Sequence, residues 1–209
     1  KIKTIIVGLG NIGTGNTNNF SKFLSHSYAV SKSKYFNLIY GIDPNMKKRK
    51  LFEKKYKVQG LENINLLTQN DKIDLIVIST KPKDHLNAVK SAIKKVIPKM
   101  ILIEKPVCEN LKQARILKKI LIKNNIKCFV NYPRRLLEIA TILKRLVKNK
   151  FMRGEILIYG GLINNGCHFI DLMNYLFGEP IKILKYNNKH KIKNKMDFSR
   201  KFKLNYTNS

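Results

Sequence analysis

The order of apolar and polar positions divides the chain into two regions. Over about the first 130 residues, short β-branched runs alternate with stretches in which apolar side chains recur at helical spacing. The predicted strands are 4–7, 37–42, 74–80, 100–103 and 126–131, and the predicted helices are 44–56, 83–96 and 109–124. Because these strands are continuously apolar, we expect both faces of a parallel sheet to be covered, as in a doubly wound α/β domain.

After Pro133 the alternation of strands and helices stops. The elements predicted there are helices over 134–150 and 167–177 and strands over 153–159, 181–186 and 198–204. The second of these helices is expected to end at Gly178, because glycine commonly follows the last helical residue. The chain is therefore predicted to contain an α/β domain over 1–132 and a smaller α+β domain over 133–209.

The net charge of +29 raises the question of a polyanionic partner. Of the 42 basic residues, however, 35 are lysine and 7 are arginine. Arginine makes the planar bidentate contacts to phosphates and guanine edges, so a dedicated nucleic-acid reader would use more of it. We interpret the charge as compositional background and expect no specific nucleic-acid partner. Binding to a polyanion is the less favoured alternative.

The three cysteines are Cys108, Cys128 and Cys167, which are too few and too widely spaced for a disulfide framework or a zinc site. They fit a reducing cytosol, so a cytoplasmic location is expected and no metal site is predicted. No apolar run reaches the roughly 18 residues of a membrane-spanning helix, so no membrane span is expected.

A glycine-rich segment directly follows the first predicted strand. Gly8, Gly10 and Gly13 form the pattern G-x-G-x-x-G, with Asn11 and Ile12 between the last two. In this pattern the first glycine permits a tight turn, the second lets the backbone approach a pyrophosphate, and the third lets the next helix pack closely. Free N–H groups at the helix start would face the phosphates. The segment predicts dinucleotide binding, and a glycine turn without a ligand is the alternative.

The second predicted strand ends in Asp43, whose carboxylate can accept hydrogen bonds from both hydroxyls of an adenosine ribose. It favours NAD, because it would repel the 2′-phosphate of NADP. Lys47, Lys48 and Arg49 could favour NADP, although we prefer to interpret them as a solvated helix face. Asp43 also follows the glycines by more than the usual distance of about 20 residues. The polar segment 14–34 is interpreted as a lengthened connection that explains the delay.

Two further segments carry candidate catalytic side chains. Glu104, Lys105 and Pro106 follow the fourth strand, at the edge where ligands of open α/β sheets bind. A lysine there can reach a substrate hydroxyl, although a surface lysine is the alternative. His168 and Asp171 are three residues apart and share one face of a predicted helix. His168 could accept a proton from a substrate hydroxyl, or it could be a capping or core histidine.

In this order, the motifs resemble those of the Gfo/Idh/MocA family of NAD(P)-dependent oxidoreductases. The matching segments are GLGNIG at 8–13, the strand ending in Asp43, ISTKPKDH at 78–85, EKP at 104–106, NYPRR at 131–135 and GCHFID at 166–171. Together they span about the first 180 residues. Within the family, the joined segment GLINNGCHFIDL most resembles members found in bacterial surface-sugar biosynthesis.

The resemblance implies a Rossmann domain followed by an α+β domain whose sheet is mostly antiparallel. It implies hydride transfer at a sugar or nucleotide-sugar carbon, with Lys105 and His168 as the catalytic residues. It also implies a cis peptide between Lys105 and Pro106. The remaining residues that the resemblance assigns are Thr80 and Glu104 for the cofactor, and Tyr132, Asn164 and Asp171 for the substrate.

Two features depart from the family pattern. The family often has an aspartate four residues before the active-site histidine, whereas Asn164 can form hydrogen bonds but cannot titrate. The family's second domain usually continues well beyond the length of this chain, so we expect either a shortened protein or a partial chain. A truncated sheet would expose an edge that needs a partner strand or cover. The resemblance implies dimerisation through this sheet, so a homo-oligomer could form there, or oligomerisation could be altered or lost.

The leading hypothesis is a cytosolic sugar dehydrogenase that uses NAD, with NADP as a possible cofactor. The alternatives are a dinucleotide-binding protein that has lost turnover and a polyanion-binding protein.

Overall fold

A six-stranded parallel sheet forms the first of two units in the computed structural model, which describes residues 1–15, 25–68, 70–148, 161–190 and 199–206. The units are Lys1–Asn131 and Tyr132–Ser209. The strands of the first unit are β1 (Ile2–Val7), β2 (Phe36–Ile42), β3 (Gly60–Leu61), β4 (Leu75–Ile78), β5 (Met100–Ile103) and β6 (Lys127–Val130). Its helices are α1 (His26–Lys32), α2 (Met46–Tyr56), α3 (Pro82–Ile93) and α4 (Leu111–Lys123). The strand order is β3-β2-β1-β4-β5-β6, as in a doubly wound fold.

Apolar clusters cover both faces of this sheet. Successive side chains of a strand point to opposite faces. In β4, Ile76 packs in the cluster that contains Val89 of α3, whereas Val77 packs in the cluster that contains Val30 of α1 and Phe52 of α2. Every position of β4 is therefore buried, which explains why the strand is apolar without alternation.

The edge strand β6 was predicted to be buried on both faces, but only one of its faces is buried. Cys128 packs against the core, but Phe129 is 54% exposed. The expectation is wrong for this strand because only one of its faces is covered.

The parallel arrangement brings the segments after five strands to one edge of the sheet. The last residues of these strands are aligned neighbours, in the order Ile42, Val7, Ile78, Ile103 and Val130. The chain therefore leaves all five strands at the carboxyl edge, where ligands of open α/β sheets bind. The residues that follow directly are Asp43, Gly8, Ser79, Glu104 and Asn131.

Helix α1 lies within the segment 14–34, which the sequence predicted to be a connection; this prediction is wrong for His26–Lys32. The N–H of Thr14 donates to the carbonyl of Gly10 (2.8 Å), and the N–H of His26 donates to that of Ile12 (2.9 Å). Helix α1 thus continues the helical turn that begins at Gly10, although residues 15–24 separate the two in sequence. These intervening residues account for the long distance between the glycines and Asp43.

Two side chains of α2 bind the carbonyl of Thr14, at the end of the glycine segment. Within α1, the N–H of Tyr28 donates to Oγ of Ser25 (3.3 Å), as in a helix N-cap. Nζ of Lys55 and the hydroxyl of Tyr56 both donate to the Thr14 carbonyl at 3.0 Å. The end of the glycine segment is therefore attached to α2 as well as to α1.

The second unit contains two helices and an antiparallel pair of strands. These elements are α5 (Glu138–Val147), α6 (Cys167–Phe177), β7 (Pro180–His190) and β8 (Ser199–Tyr206). The predicted helix over 134–150 is divided, because Leu137 is extended between a 3₁₀ turn, Pro133–Leu136, and α5. Helix α6 has its predicted bounds and is preceded by a π-helical turn, Leu162–Gly166. The predicted strand over 153–159 lies outside the described residues.

In the described part of the chain, no helix combines the length and the apolarity that crossing a bilayer requires.

Candidate functional site

Two of the three motif glycines are required by the packing of the protein itself. Gly8 has a φ of +95°, and a Cβ added to it would lie 2.7 Å from the carbonyl carbon of Ser79. A Cβ on Gly13 would lie 1.9 Å from the carbonyl oxygen of Gly8. The close packing expected at Gly13 is thus a contact with the turn at Gly8 and with the side chain of Ser79.

Gly10 is different, because a Cβ built on it would meet no described residue within 4 Å. The described part of the fold therefore gives no steric reason for glycine at this position. The open space fits a backbone that must be approached closely by a ligand, as the pyrophosphate of a dinucleotide does in this motif.

Asp43 is 5% exposed and is held in place by backbone donors. The N–H of Leu9 donates to its Oδ2 and the N–H of Asn45 donates to its Oδ1, both at 2.9 Å. Each oxygen of an ionised carboxylate can accept a further hydrogen bond. Asp43 is thus attached to the glycine segment and retains acceptor capacity for ribose hydroxyls.

A cleft of about 300 Å³ lies beside these residues, lined by the turn at Gly8, by Asp43 and by residues of α3. Thr80 also lines it, and the Oγ1 of Thr80 is buried without a hydrogen-bond partner among the described residues. Leaving such a group unsatisfied costs about 1–3 kcal/mol. A polar ligand in the cleft would remove this cost, so the residues present fit a bound dinucleotide.

Two basic residues of α2 contact the Asp43 turn. Nζ of Lys48 lies 3.4 Å from Oδ2 of Asp43. Nη1 of Arg49 donates to the carbonyls of Asp43 and Pro44, each at 2.8 Å. The expected solvated helix face holds for Lys47 and Lys48, which are both exposed, although Lys48 also contacts Asp43. Arg49 departs from it, because it is only partly exposed and bonds to the turn.

Glu104 binds two side chains at the carboxyl end of β5. Its Oε1 lies 2.8 Å from Nε2 of His26 and accepts a hydrogen bond from Nδ2 of Asn131. The backbone of the next residue, Lys105, also acts to lower the pKa of this carboxylate. Burial acts to raise the pKa of Glu104, but the hydrogen bonds from His26 and Asn131 outweigh it and lower that pKa below its usual value. The carboxylate is therefore ionised at neutral pH.

The predicted cis peptide between Lys105 and Pro106 is confirmed. A fully buried histidine, His85, lies close by in α3. Its Nδ1 is 3.1 Å from the carbonyl oxygen of Val107, and its Nε2 is 3.0 Å from that of Thr80. His85 thus joins the segment after β4 to the segment that carries Lys105.

In the second unit, the candidate residues Tyr132 and His168 make an edge-on ring contact, with centroids 5.8 Å apart. Burial raises the pKa of Tyr132 to about 12, and Cys167 and Asp171 add to the effect. Tyr132 is therefore a neutral phenol at physiological pH and can donate a hydrogen bond.

Asp171 is bound by Arg135, whose Nε and Nη2 donate to its two carboxylate oxygens. Arg134 stacks on the ring of Phe169 at 3.9 Å and donates to Oδ1 of Asn165 at 3.0 Å. The predicted substrate residue Asp171 is thus already paired within its own unit. The side chain of Asn164 lies outside the described residues.

Sequence reasoning missed three residues of the first unit: His26, His85 and Asn131. His85 lies in the quoted segment ISTKPKDH, and Asn131 directly follows a predicted strand, so both could have been found. His26 carried no signal, because residues 15–24 separate it from the glycine motif.

The parallel sheet, the glycine turn after β1 and the acidic residue after β2 define a Rossmann-type dinucleotide-binding protein. The model of an oxidoreductase family with an NAD-binding Rossmann fold, Gfo/Idh/MocA, matches residues 2–132. The chain belongs to this family. The match confirms the resemblance seen in the sequence and NAD as the cofactor class of the matched domain, and the strand order confirms the α/β fold class.

The chain is similar to the crystal structure of scyllo-inositol dehydrogenase from Lactobacillus casei with bound NAD(H) and scyllo-inositol. The TM-score is 0.66 at 19% identity, with 90% of this chain and 60% of that chain covered. A curated relative, Oxidoreductase P35 from Formosa agariphila, is 34% identical over 85 residues, which cover 41% of this chain and 26% of the relative. The chain therefore spans less than two thirds of either protein.

Proposed function

We propose that this protein is a dehydrogenase that transfers a hydride between NAD and a hydroxyl-bearing carbon of a sugar or nucleotide sugar. The observation that supports this proposal most strongly is that the dinucleotide cleft and Lys105 lie at the carboxyl edge of the same parallel sheet. A cofactor bound there and a side chain able to bind a hydroxyl would lie along one line of strand ends.

NAD, when bound, supplies the hydride acceptor or donor. The N–H groups of Asn11 and Ile12 would bind its pyrophosphate beside Gly10, while Asp43 and Thr80 would bind the adenosine half. The family resemblance also assigns Glu104 to the cofactor, and we propose that it acts there indirectly, without contacting the nucleotide. The open space at Gly10 and the unsatisfied hydroxyl of Thr80 support the assignments at those two positions.

Lys105 would bind and orient the substrate hydroxyl in this reaction. The family resemblance assigns His168 as the residue that accepts the hydroxyl proton, with Tyr132 and Asn164 as substrate contacts. Arg135 binds the carboxylate of Asp171. We therefore propose that Asp171 positions helix α6 rather than binding substrate directly.

Surface-polysaccharide biosynthesis is the process that we propose for this activity, on the basis of the segment GLINNGCHFIDL. The net charge of +29 supports an anionic substrate such as a nucleotide sugar, because a basic surface attracts it. We also propose a cytosolic location, which the three free cysteines favour, and self-association through the β7–β8 sheet.

The proposed function is tested by titrating the protein with NADH and following fluorescence, and then assaying UDP-sugars and inositols with NAD. Binding with oxidation of a panel member is the expected result. Binding without oxidation of any member would indicate a dinucleotide-binding protein that has lost turnover. Absence of NADH binding would contradict the proposal, and DNA binding that persists at physiological salt would favour the polyanion alternative.

Replacing Lys48 with methionine is expected to increase the preference for NADH over NADPH. Lys48 offsets the charge of Asp43 beside the expected 2′ position, so its loss strengthens repulsion of a 2′-phosphate. Because Lys48 is 46% exposed and therefore screened, the ratio of the two dissociation constants should change by roughly 3- to 10-fold. Fluorescence titration with both nucleotides measures it. Lys47→Met is the matched control, and an equal ratio in the two variants would refute the role of Lys48.

A further inference from the structure

His26 forms a partly buried pair with Glu104 at the carboxyl edge of the sheet. The distance from Nε2 to Oε1 is 2.8 Å, and the two side chains are 14% and 12% exposed. Because the carboxylate is ionised, Nε2 of His26 must carry the hydrogen, which is possible in both the neutral and the charged imidazole. The hydrogen bond is therefore available over a wide range of pH.

Glu104 and Lys105 are consecutive residues, so the contacts that hold the Glu104 side chain also affect the backbone of Lys105. The carboxylate contacts the side chains of His26 and Asn131, and the Lys105 backbone also acts to lower its pKa. Removing one donor from a buried carboxylate leaves acceptor capacity unsatisfied and favours rearrangement of the group. The position of Lys105 thus depends on donors that Glu104 finds elsewhere in the fold.

His26 is also attached to the glycine segment. Its N–H donates to the carbonyl of Ile12, and both the N–H and the Oγ of the next residue, Ser27, donate to the carbonyl of Gly13 (2.9 and 2.7 Å). Helix α1 therefore connects the dinucleotide turn to the Glu104 carboxylate. This connection is kept although residues 15–24 lie between the glycine segment and α1 in the sequence.

We infer that His26 is a positioning residue for Lys105, acting through Glu104. It holds the backbone that carries Lys105 in a constant place relative to the dinucleotide turn. The inference rests on the proposed function, in which Lys105 binds the substrate hydroxyl. It assigns His26 no contact with substrate or cofactor.

The test compares His26→Leu, which removes the donor, with His26→Gln, whose amide N–H can replace Nε2–H. His26→Leu should lower kcat/KM for the substrate found in the sugar panel by about 100-fold, because misplacing a catalytic group by about 1 Å has an effect of that size. His26→Gln should recover most of the loss. The dissociation constant for NADH should change less than about 3-fold in both, since it depends on groups that the variants leave in place.

A second comparison tests whether His26 acts through Glu104. In a Glu104→Gln background, His26→Leu should cause a much smaller additional loss, because the two changes break one connection. Full additivity would overturn the inference, as would unchanged kcat/KM in His26→Leu. If His26→Leu does not fold, His26→Asn, whose side chain is too short to reach Glu104, takes its place.

A third measurement does not depend on turnover. Lysines are reductively methylated with ¹³C-formaldehyde, and the Lys105 signal is identified by its loss in Lys105→Arg. This signal should move in His26→Leu and return towards its original position in His26→Gln. A signal unchanged in His26→Leu would refute the inference even if the protein binds no NADH, whereas absent NADH binding alone would contradict only the proposed function.

Discussion

Lys105→Ala is expected to abolish turnover while NADH still binds. Lys105 follows β5 and is not among the residues that line the dinucleotide cleft. The contacts that we assign to NADH binding, at Gly10, Asp43 and Thr80, are therefore retained in the variant. Loss of a group that binds and polarises a hydroxyl lowers rates by about 10²- to 10⁴-fold. Steady-state kinetics and NADH fluorescence titration of the same preparation measure the two effects separately.

Lys99→Ala provides a matched control, because Lys99 precedes the same strand at its opposite end. Its side chain is 84% exposed, and its ammonium pairs with Asp74 at 2.9 Å. Exposed pairs of this kind contribute about 0–1 kcal/mol, so turnover should be unchanged. If Lys105→Ala retained wild-type turnover, Lys105 would have no part in the mechanism. Loss of NADH binding in that variant would instead place Lys105 in the cofactor site.

Gly10→Ala and Gly13→Ala are expected to have opposite consequences, although each adds one methyl group. The methyl on Gly10 enters open space, so thermal stability should be unchanged while NADH affinity falls at least about 10-fold because the pyrophosphate is displaced. The methyl on Gly13 would lie 1.9 Å from the Gly8 carbonyl oxygen. The backbone must shift to admit it, which costs about 1–3 kcal/mol or more.

Thermal unfolding followed by circular dichroism, together with NADH titration, separates these two effects. Gly10→Ala should have the wild-type midpoint and weak binding, whereas Gly13→Ala should have a lower midpoint. Wild-type NADH affinity in Gly10→Ala would show that the open space at Gly10 is not where the dinucleotide lies. A wild-type midpoint in Gly13→Ala would show that the turn at Gly8 relaxes without cost.

Most strands of the first unit could be predicted because their energetic cause is local in the sequence. A strand covered on both faces needs an apolar residue at every position, and β4 and β5 have this pattern. Helix α1 could not be predicted in the same way. Its buried residues are only Ser27 and Val30, and its start is supported by bonds to Ile12 and Gly13 across the intervening residues. Hydrogen bonds of this kind produce no apolar periodicity in the sequence.

In the candidate site, too, some residues could be predicted from the sequence and others could not. The pattern of glycines and the acidic residue after a strand indicated the dinucleotide site, because the ligand requires those residue types. The contacts of Lys48 and Arg49 with the Asp43 turn could not be predicted, since an exposed helix face and a face that contacts Asp43 have the same composition.

The sequence by itself therefore determined the α/β class, the glycine turn and the family, all of which depend on patterns within short segments. Only the tertiary structure decided that His26 meets Glu104, 78 residues away in the chain, and that Gly10 faces open space while Gly13 does not. The reason is physical. Local patterns reflect backbone preference and burial, whereas contacts between distant segments depend on how strands are ordered and helices packed in three dimensions.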